Sequence, residues 1–138
     1  MMTSTIIAVI AAQPGPLRDS LETLVKTIPQ IEIVAHARNE SALMHLGEER
    51  QPDLILLEAN EAPGVTGNML TQICTEWTST HTIVLAETAA QKLAAEAAGA
   101  DIVLLKGFKA TCLVRHIERL LGTKMNDQAP NRSTIHKV

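Results

Sequence analysis

Aromatic side chains are almost missing from this sequence of 138 residues, which contains one Trp, one Phe and no Tyr. Because 46% of the residues are hydrophobic, we expect one small globular domain with an aliphatic core. Basic residues are also few, since 12 Lys plus Arg stand against 15 Asp plus Glu, a net charge of -3. This balance excludes the basic surface with which nucleic-acid-binding domains neutralise phosphates, so we expect no nucleic acid to be bound by this domain itself.

Long hydrophobic runs and clustered metal ligands are missing too. The longest hydrophobic run, from Ile6 to Ala12, is far shorter than the roughly 20 residues of a membrane helix, and no basic segment precedes it as in a signal peptide. We therefore expect a cytoplasmic protein without membrane contact. Cys74 and Cys112 lie in apolar periodic segments without a nearby Cys or His, so we interpret both as reduced core residues. The five His are scattered without metal-ligand spacing, which predicts no metal site.

Short hydrophobic runs alternate with longer amphipathic stretches, and this pattern predicts a parallel sheet with crossover helices. The predicted strands cover residues 5–10, 31–37, 53–57, 82–86 and 102–105. Most of them are nearly unbroken hydrophobic runs, which is typical of strands that are covered by helices on both faces. The chain is therefore predicted to fold as an α/β domain with five strand-helix pairs.

The helices are predicted from their breakers, caps and hydrophobic spacing. A Pro63-Gly64 turn precedes the third helix, in which Trp77 is interpreted as a core residue, and Thr88 is predicted to cap the alanine-rich fourth helix. The fifth helix is predicted to end at Gly122. The composition then becomes polar, so we divide the chain into a domain over 1–122 and a flexible tail or linker over 123–138.

Ligands of such folds bind at the carboxyl ends of the strands, and these positions are chemically poor here. The first strand is followed by Ala11, Ala12 and Gln13, without a carboxylate or a glycine-rich phosphate loop. Glu58 ends the third strand and Lys106 follows the fifth. These two side chains are predicted to face each other as a charged pair.

The chain resembles the receiver domains of bacterial response regulators over about residues 5–121. The resemblance rests on the stretch from Pro52 to Glu58 with Pro63, Gly64 and Gly67 after it, and on the stretches 98–101 and 104–108. It is greatest to the CheY-like receivers that precede the helix-turn-helix of LuxR-type or NarL-type regulators. It implies a flavodoxin-like, doubly wound (βα)5 fold with a five-stranded parallel sheet.

The resemblance also implies where a receiver's site residues would fall. In that family an acidic pair after the first strand binds Mg²⁺, an Asp ending the third strand accepts a phosphoryl group, and a Thr or Ser ending the fourth contacts it. A Lys after the fifth strand pairs with the phosphate, and an aromatic residue in that strand takes part in switching. The corresponding positions are Ala11 and Ala12, Glu58, Ala86, Lys106 and Val103. The lysine is the residue that this chain retains.

The substitutions predict that phosphotransfer is lost. Ala11 and Ala12 offer neither charge nor a lone pair, so we expect no Mg²⁺ and no other cofactor. Without the metal, nothing neutralises a phosphoryl group in transfer. Glu58 is also one methylene longer than Asp, and a nucleophile displaced by ~1 Å can lose ~100-fold in rate. We therefore predict a pseudo-receiver, which is not an enzyme and acts independently of phosphorylation in signal transduction or transcription regulation through protein contacts.

Several alternatives remain open at this stage. Glu58 with Lys106 is either a structural ion pair of ~1 kcal/mol or a fixed charge that holds an active conformation. The first is favoured because Ala86 and Val103 cannot transmit the charge. Glu87 is a second carboxylate that this pocket could contain. A working phosphoacceptor domain is the least favoured alternative.

A different class of function is a small-molecule-binding module. Its ligand would occupy the emptied pocket lined by Ala11, Ala12, Leu56 and Ala86, because loss of carboxylates makes a site more apolar. For the receiver, the resemblance implies protein partners. These include a second copy bound through the face of the fourth helix, fifth strand and fifth helix. The tail is expected either to lead to a helix-turn-helix domain beyond Val138 or to be a native end.

Overall fold

The computed structural model describes residues 5–37, 40–49, 51–59 and 63–126. In this part of the chain, strands and helices alternate in the order β1 (Ile6–Ala11), α1 (Pro16–Val25), β2 (Ile31–Ala37), α2 (Glu40–Glu49), β3 (Leu54–Glu58), α3 (Pro63–Glu76), β4 (His81–Ala86), α4 (Ala89–Ala97), β5 (Ile102–Leu105) and α5 (Ala110–Asn126). All neighbouring strands are parallel, in the spatial order β2-β1-β3-β4-β5. The predicted doubly wound, flavodoxin-like α/β fold is confirmed.

The three central strands bury both faces of the sheet, which divides the core into two layers. One layer packs alternate residues of β1, β3 and β4, such as Ile10 and Leu56, against α1 and α5. The other packs the intervening residues, such as Ile55 and Val84, against α2, α3 and α4. This alternation follows from the two-residue period of a strand, and it accounts for the unbroken hydrophobic runs in the sequence.

Two strands end one residue later than the sequence predicts. β1 reaches Ala11, which pairs with Leu57, and β3 reaches Glu58, which pairs with Leu85. Asp53 was predicted as the first residue of β3 but lies before it. Its side chain instead accepts a hydrogen bond of 2.8 Å from the backbone N–H of Ile7. With these boundaries, Glu58 is the last residue of β3 and lies at the edge formed by the carboxyl ends of the strands.

A second aspartate closes the same amino-terminal edge of the sheet. The Asp101 carboxylate accepts from the backbone N–H of Thr82 at 2.8 Å, and the Asp101 N–H donates to the Thr82 hydroxyl at 3.2 Å. Such charge-assisted bonds satisfy backbone groups at a strand end that has no further ladder partner. Asp53 and Asp101 therefore hold β1 against β3 and β4 against β5.

The helix ends differ partly from their predictions. Gly15, with a φ of +152°, precedes Pro16 at the start of α1, and Thr88 caps α4 as predicted. Pro63 and Gly64 lie in the first turn of α3 rather than in a separate turn, because proline needs no N–H partner there.

The predicted end of the fifth helix at Gly122 is wrong, since α5 continues to Asn126. A glycine inside a helix costs ~1 kcal/mol, which the packing of Leu113, Ile117 and Leu121 on the sheet exceeds. Residues 127–138, most of the predicted tail, lie outside the described residues.

The sequence predicts core positions for Cys74 in α3 and for Trp77 directly after it, and the two predictions have opposite outcomes. Trp77 is buried as predicted, with 5% of its surface exposed. Cys74, by contrast, is exposed, and its thiol donates to the carbonyl of Gly99 at 3.4 Å. Partial burial, together with the charge of Asp101, raises the pKa of this thiol. Cys74 follows the buried Ile73 by one residue, a rotation of about 100° that takes it off the buried face. Cys112 is half-buried.

Among the described residues, no helix combines the length and the hydrophobicity that a membrane crossing requires.

Gly47 in α2 lies directly against the indole of Trp77, where an added Cβ would overlap the ring atoms Cζ2 and Cη2. We expect Gly47→Ala to lower the free energy of unfolding by ~1–2 kcal/mol, because overpacking outweighs the ~1 kcal/mol gained in helix propensity. Urea unfolding measures this change. Gly122→Ala is the matched control, since a Cβ there meets no atom within 4 Å, and it should stabilise the protein. Stabilisation by both substitutions would contradict the Gly47–Trp77 contact.

Candidate functional site

The candidate site lies where the carboxyl ends of four strands meet at one edge of the sheet. β1 ends at Ala11 and β3 ends at Glu58. β4 ends at Ala86, which pairs with Leu105, and Lys106 follows directly. Parallel pairing thus brings together the positions that were singled out from the sequence.

Three of these positions carry only buried methyl groups. Ala11 is 7%, Ala12 is 4% and Ala86 is 0% exposed. Ala11 packs in the layer of α2, α3 and α4, and Ala12 packs in the layer of α1 and α5. Val103 is partly buried against the α2, α3 and α4 layer. These four side chains extend the hydrophobic core to the edge of the sheet and contribute no polar atom to the site.

Glu58 spans the site with its carboxylate. Its Oε2 accepts a hydrogen bond of 3.0 Å from Lys106 Nζ, and its Oε1 accepts one of 3.1 Å from the backbone N–H of Gln13. The side chain is 20% exposed. One carboxylate therefore joins the loop after β1 to the loop after β5, and each of its oxygens accepts a hydrogen bond.

A second carboxylate stands on the other side of the lysine. Glu87 Oε2 lies 3.8 Å from Lys106 Nζ, with the Glu87 side chain 61% exposed and that of Lys106 32% exposed. An ion pair this long and this exposed contributes little stability. Its effect is on charge, because two carboxylates lie beside one ammonium group.

Gln91 fixes the turn that carries Glu87. Its side-chain Oε1 accepts a hydrogen bond of 2.7 Å from the backbone N–H of Glu87. The backbone N–H of Gln91 donates to the hydroxyl of Thr88 at 3.1 Å. Gln91 is not among the residues singled out from the sequence, although a Thr followed three residues later by Gln is a known capping pattern. The Gln13 N–H is not among them either, because a backbone donor leaves no mark in a sequence.

The other titratable side chains do not assemble into a metal site. His36 lies 3.5 Å from Glu22, which also pairs with Lys26, and His81 lies 3.6 Å from Asp101. Across residues 5–37, 40–49, 51–59 and 63–126, no group of three or more His, Cys, Asp or Glu side chains could hold a metal ion.

No protein-family model matches this sequence, and no curated protein matches it. Solved structures do match it in fold. A LuxR-family DNA-binding response regulator from Staphylococcus aureus superposes with a TM-score of 0.71 at 22% identity, over 83% of this chain and 98% of that one. A LuxR-family two-component response regulator from Aurantimonas sp. SI85-9A1 gives a TM-score of 0.75 at 22% identity, over 87% of each chain.

A longer structure matches over part of its length. RcsB from Salmonella enterica serovar Typhimurium, bound to the promoter rprA in the presence of the phosphomimetic BeF3⁻, gives a TM-score of 0.73 at 16% identity. The match covers 83% of this chain and 67% of that one. The fold of this protein is therefore that of response-regulator receiver domains, as the sequence resemblance implies.

The reach of Glu58 across the site can be tested by shortening it. Asp at this position cannot hold both the Gln13 N–H and Lys106, so we expect Glu58→Asp to lower the free energy of unfolding by ~1 kcal/mol, the value of one hydrogen bond. Chemical denaturation measures the change. The matched control is Glu87→Asp, which alters a long, exposed pair and should change stability by less than ~0.5 kcal/mol. Equal effects would show that Glu58 does not bridge the two loops.

Proposed function

We propose that this chain is a non-catalytic receiver domain that acts independently of phosphorylation, in signal transduction or transcription regulation, through protein-protein contacts. The observation that carries the proposal is the Glu58 carboxylate, which lies at the position that the resemblance assigns to the phosphoacceptor. One of its oxygens accepts a hydrogen bond from Lys106 and the other accepts one from the Gln13 N–H. Phosphoryl transfer needs positive charge that neutralises the transferred group. The ammonium group of Lys106 is instead paired with Glu58, which connects two loops.

The residues of the site do not fit the Mg²⁺ that the receiver fold implies. Mg²⁺ needs near-octahedral oxygen ligands and is usually held by one or two carboxylates. At the positions of the acidic pair stand the buried methyl groups of Ala11 and Ala12. The nearest carboxylate, Glu58, already binds an ammonium group at 3.0 Å. We therefore propose that the domain uses no Mg²⁺ and no other cofactor.

The small-molecule alternative receives less support from the geometry. A ligand pocket needs concave surface into which a molecule can pack. Ala11, Ala12, Leu56 and Ala86 are at most 7% exposed, so their side chains offer almost no surface to a ligand. Glu58 also crosses the space between the loops after β1 and β5. The proposal is accordingly a protein-contact module.

We assign the contact with a second copy of the chain to α4, β5 and α5. Leu93 on α4 is 65% exposed and Leu105 on β5 is 42% exposed, the most exposed large hydrophobic side chains among the described residues. β5 is an edge strand, and Ala89 and Ala97 are exposed on the same helix as Leu93. Such a surface suits a self-complementary dimer contact.

The output of the proposed receiver would come from a further domain. The Staphylococcus aureus relative is described as a DNA-binding response regulator, and RcsB was solved on a promoter. We propose that a helix-turn-helix domain C-terminal to Val138 binds DNA, while this acidic domain contacts only protein. We propose that the protein is located in the cytoplasm, where the helix-turn-helix domain would have access to DNA.

Loss of phosphotransfer is tested with a small phosphodonor. After incubation with acetyl phosphate and Mg²⁺, we expect the intact mass of the protein to be unchanged, because Ala11 and Ala12 offer no ligand to the metal and Lys106 is already paired with Glu58. A receiver domain with the acidic pair and the aspartate, treated in parallel, is the positive control. A stoichiometric phosphoryl adduct on Glu58 would overturn the proposed function.

Self-association should depend on Leu93 and not on the charge of Glu58. We expect Leu93→Lys to weaken the dimer at least tenfold, about 1.4 kcal/mol, because it places a charge in the centre of an apolar contact. Glu58→Gln should leave association unchanged, since Ala86 offers no hydroxyl to respond to the carboxylate. Sedimentation equilibrium measures both variants against the wild type, with Gln72→Lys on the exposed side of α3 as the control. A tenfold effect of Glu58→Gln would instead support a fixed active state, and a wild type that stays monomeric would refute the dimer.

A further inference from the structure

Two polar residues are buried in the part of the chain that the structure describes, and they stand at opposite ends of β4. Thr82 is 1% exposed and Gln91 is 7% exposed. Thr82 ties the start of β4 to Asp101, just before β5. Gln91 lies on α4 and bonds back to the turn at the end of β4. Burying a polar group costs free energy unless it forms hydrogen bonds, so the bonds of Gln91 are expected to matter for the structure around it.

Backbone bonds from both neighbouring strands hold the end of β4. The N–H of Ala59 donates to the carbonyl of Leu85 at 3.0 Å, and the N–H of Lys106 donates to the carbonyl of Ala86 at 2.8 Å. The next N–H along the chain, that of Glu87, points the other way and donates to the Gln91 side chain at 2.7 Å. The turn is thus fixed on the strand side and on the helix side.

We propose that Gln91 is a positioning residue that locks the β4–α4 turn in one arrangement, so that Lys106 and the surface of α4 and β5 keep one state whatever the charge on Glu58. This inference rests on the proposed function, which assigns the surface of α4 and β5 to the contact with a second copy. It adds a structural reason why that surface would not change between two states. The acceptor is an amide oxygen, which does not titrate, and the bond lies outside the Glu58–Lys106 pair.

The geometry separates this lock from the ion pairs of the site. Glu87 is held through its backbone by Gln91, and only its exposed side chain approaches Lys106, at 3.8 Å. Neutralising Glu58 therefore removes a partner of Lys106 and leaves both partners of the Glu87–Gln91 hydrogen bond in place. Removing the Gln91 acceptor frees the turn without touching Glu58.

Amide hydrogen exchange, followed residue by residue by NMR on the whole chain, tests the lock. In Gln91→Leu, which has similar size but no acceptor, we expect exchange of the Glu87 amide to accelerate at least tenfold. Exchange of the Thr82 amide, at the other end of β4, should stay within twofold of the wild type. Gln91→Glu keeps an acceptor oxygen at the same distance from the backbone and should restore slow exchange at Glu87.

Either variant can overturn the proposal. In Gln91→Leu, the proposal fails if the exchange rate of the Glu87 amide stays within twofold of the wild type, or if the Thr82 amide accelerates equally, which would mean global opening. In Glu58→Gln, which can be measured even if Gln91→Leu does not fold, a tenfold acceleration at the Glu87 amide would show that the turn depends on Glu58. Failure of the lock is separable from failure of the proposed function, since the acetyl phosphate experiment reads Glu58 and this one reads the turn.

Discussion

Helices on both faces of the sheet leave no place for a charged side chain along β1, β3 or β4, and the rest of the structure depends on this constraint. Every residue of β1 is buried, and β3 is buried up to its last residue. Along these three strands, charged groups are therefore confined to the ends. At the amino-terminal edge Asp53 and Asp101 satisfy backbone donors, and at the carboxyl edge Glu58 and Lys106 form the site. The same burial that stabilises the sheet thus decides where chemistry can occur.

The carboxyl edge of the sheet carries the groups on which the proposed function rests. The methyl groups of Ala11, Ala12 and Ala86 continue the core outward, and a single carboxylate joins the loops on either side of it. A phosphoryl-transfer site needs excess positive charge around the transferred group. This edge has one ammonium group beside two carboxylates. Its residues suit a joint between loops, in keeping with the proposed role as a protein-contact domain.

The sequence predicts those features that follow from hydrophobic pattern and from position after a strand. The parallel sheet, the burial of Trp77 and the approach of Glu58 to Lys106 are of this kind. The exact strand boundaries are not predicted, because the pattern fits Asp53 equally well as the first residue of a strand or as the residue before it, whose side chain accepts a backbone hydrogen bond. Periodicity also misplaced Cys74, since it marks a helix as amphipathic without fixing where the buried face ends. The Gln13 N–H and the hydrogen bond from Glu87 to Gln91 depend on backbone direction, which the hydrophobic pattern does not determine.

Receiver structures of the same fold share 15–22% identity with this chain, so the fold does not require the same residues at the site. Stability comes from the aliphatic core, whereas carboxylates crowded at one sheet edge repel one another and are kept for function at a cost in stability. Under the proposed function, alanines at these positions avoid the repulsion and enlarge the core. Without Glu58, Lys106 would keep only the long, exposed pair with Glu87, and leaving a partly buried charge poorly paired is unfavourable. Glu58, longer than aspartate, supplies a close anion and reaches the Gln13 N–H as well, so the proposed function gives the lysine a role without any phosphate.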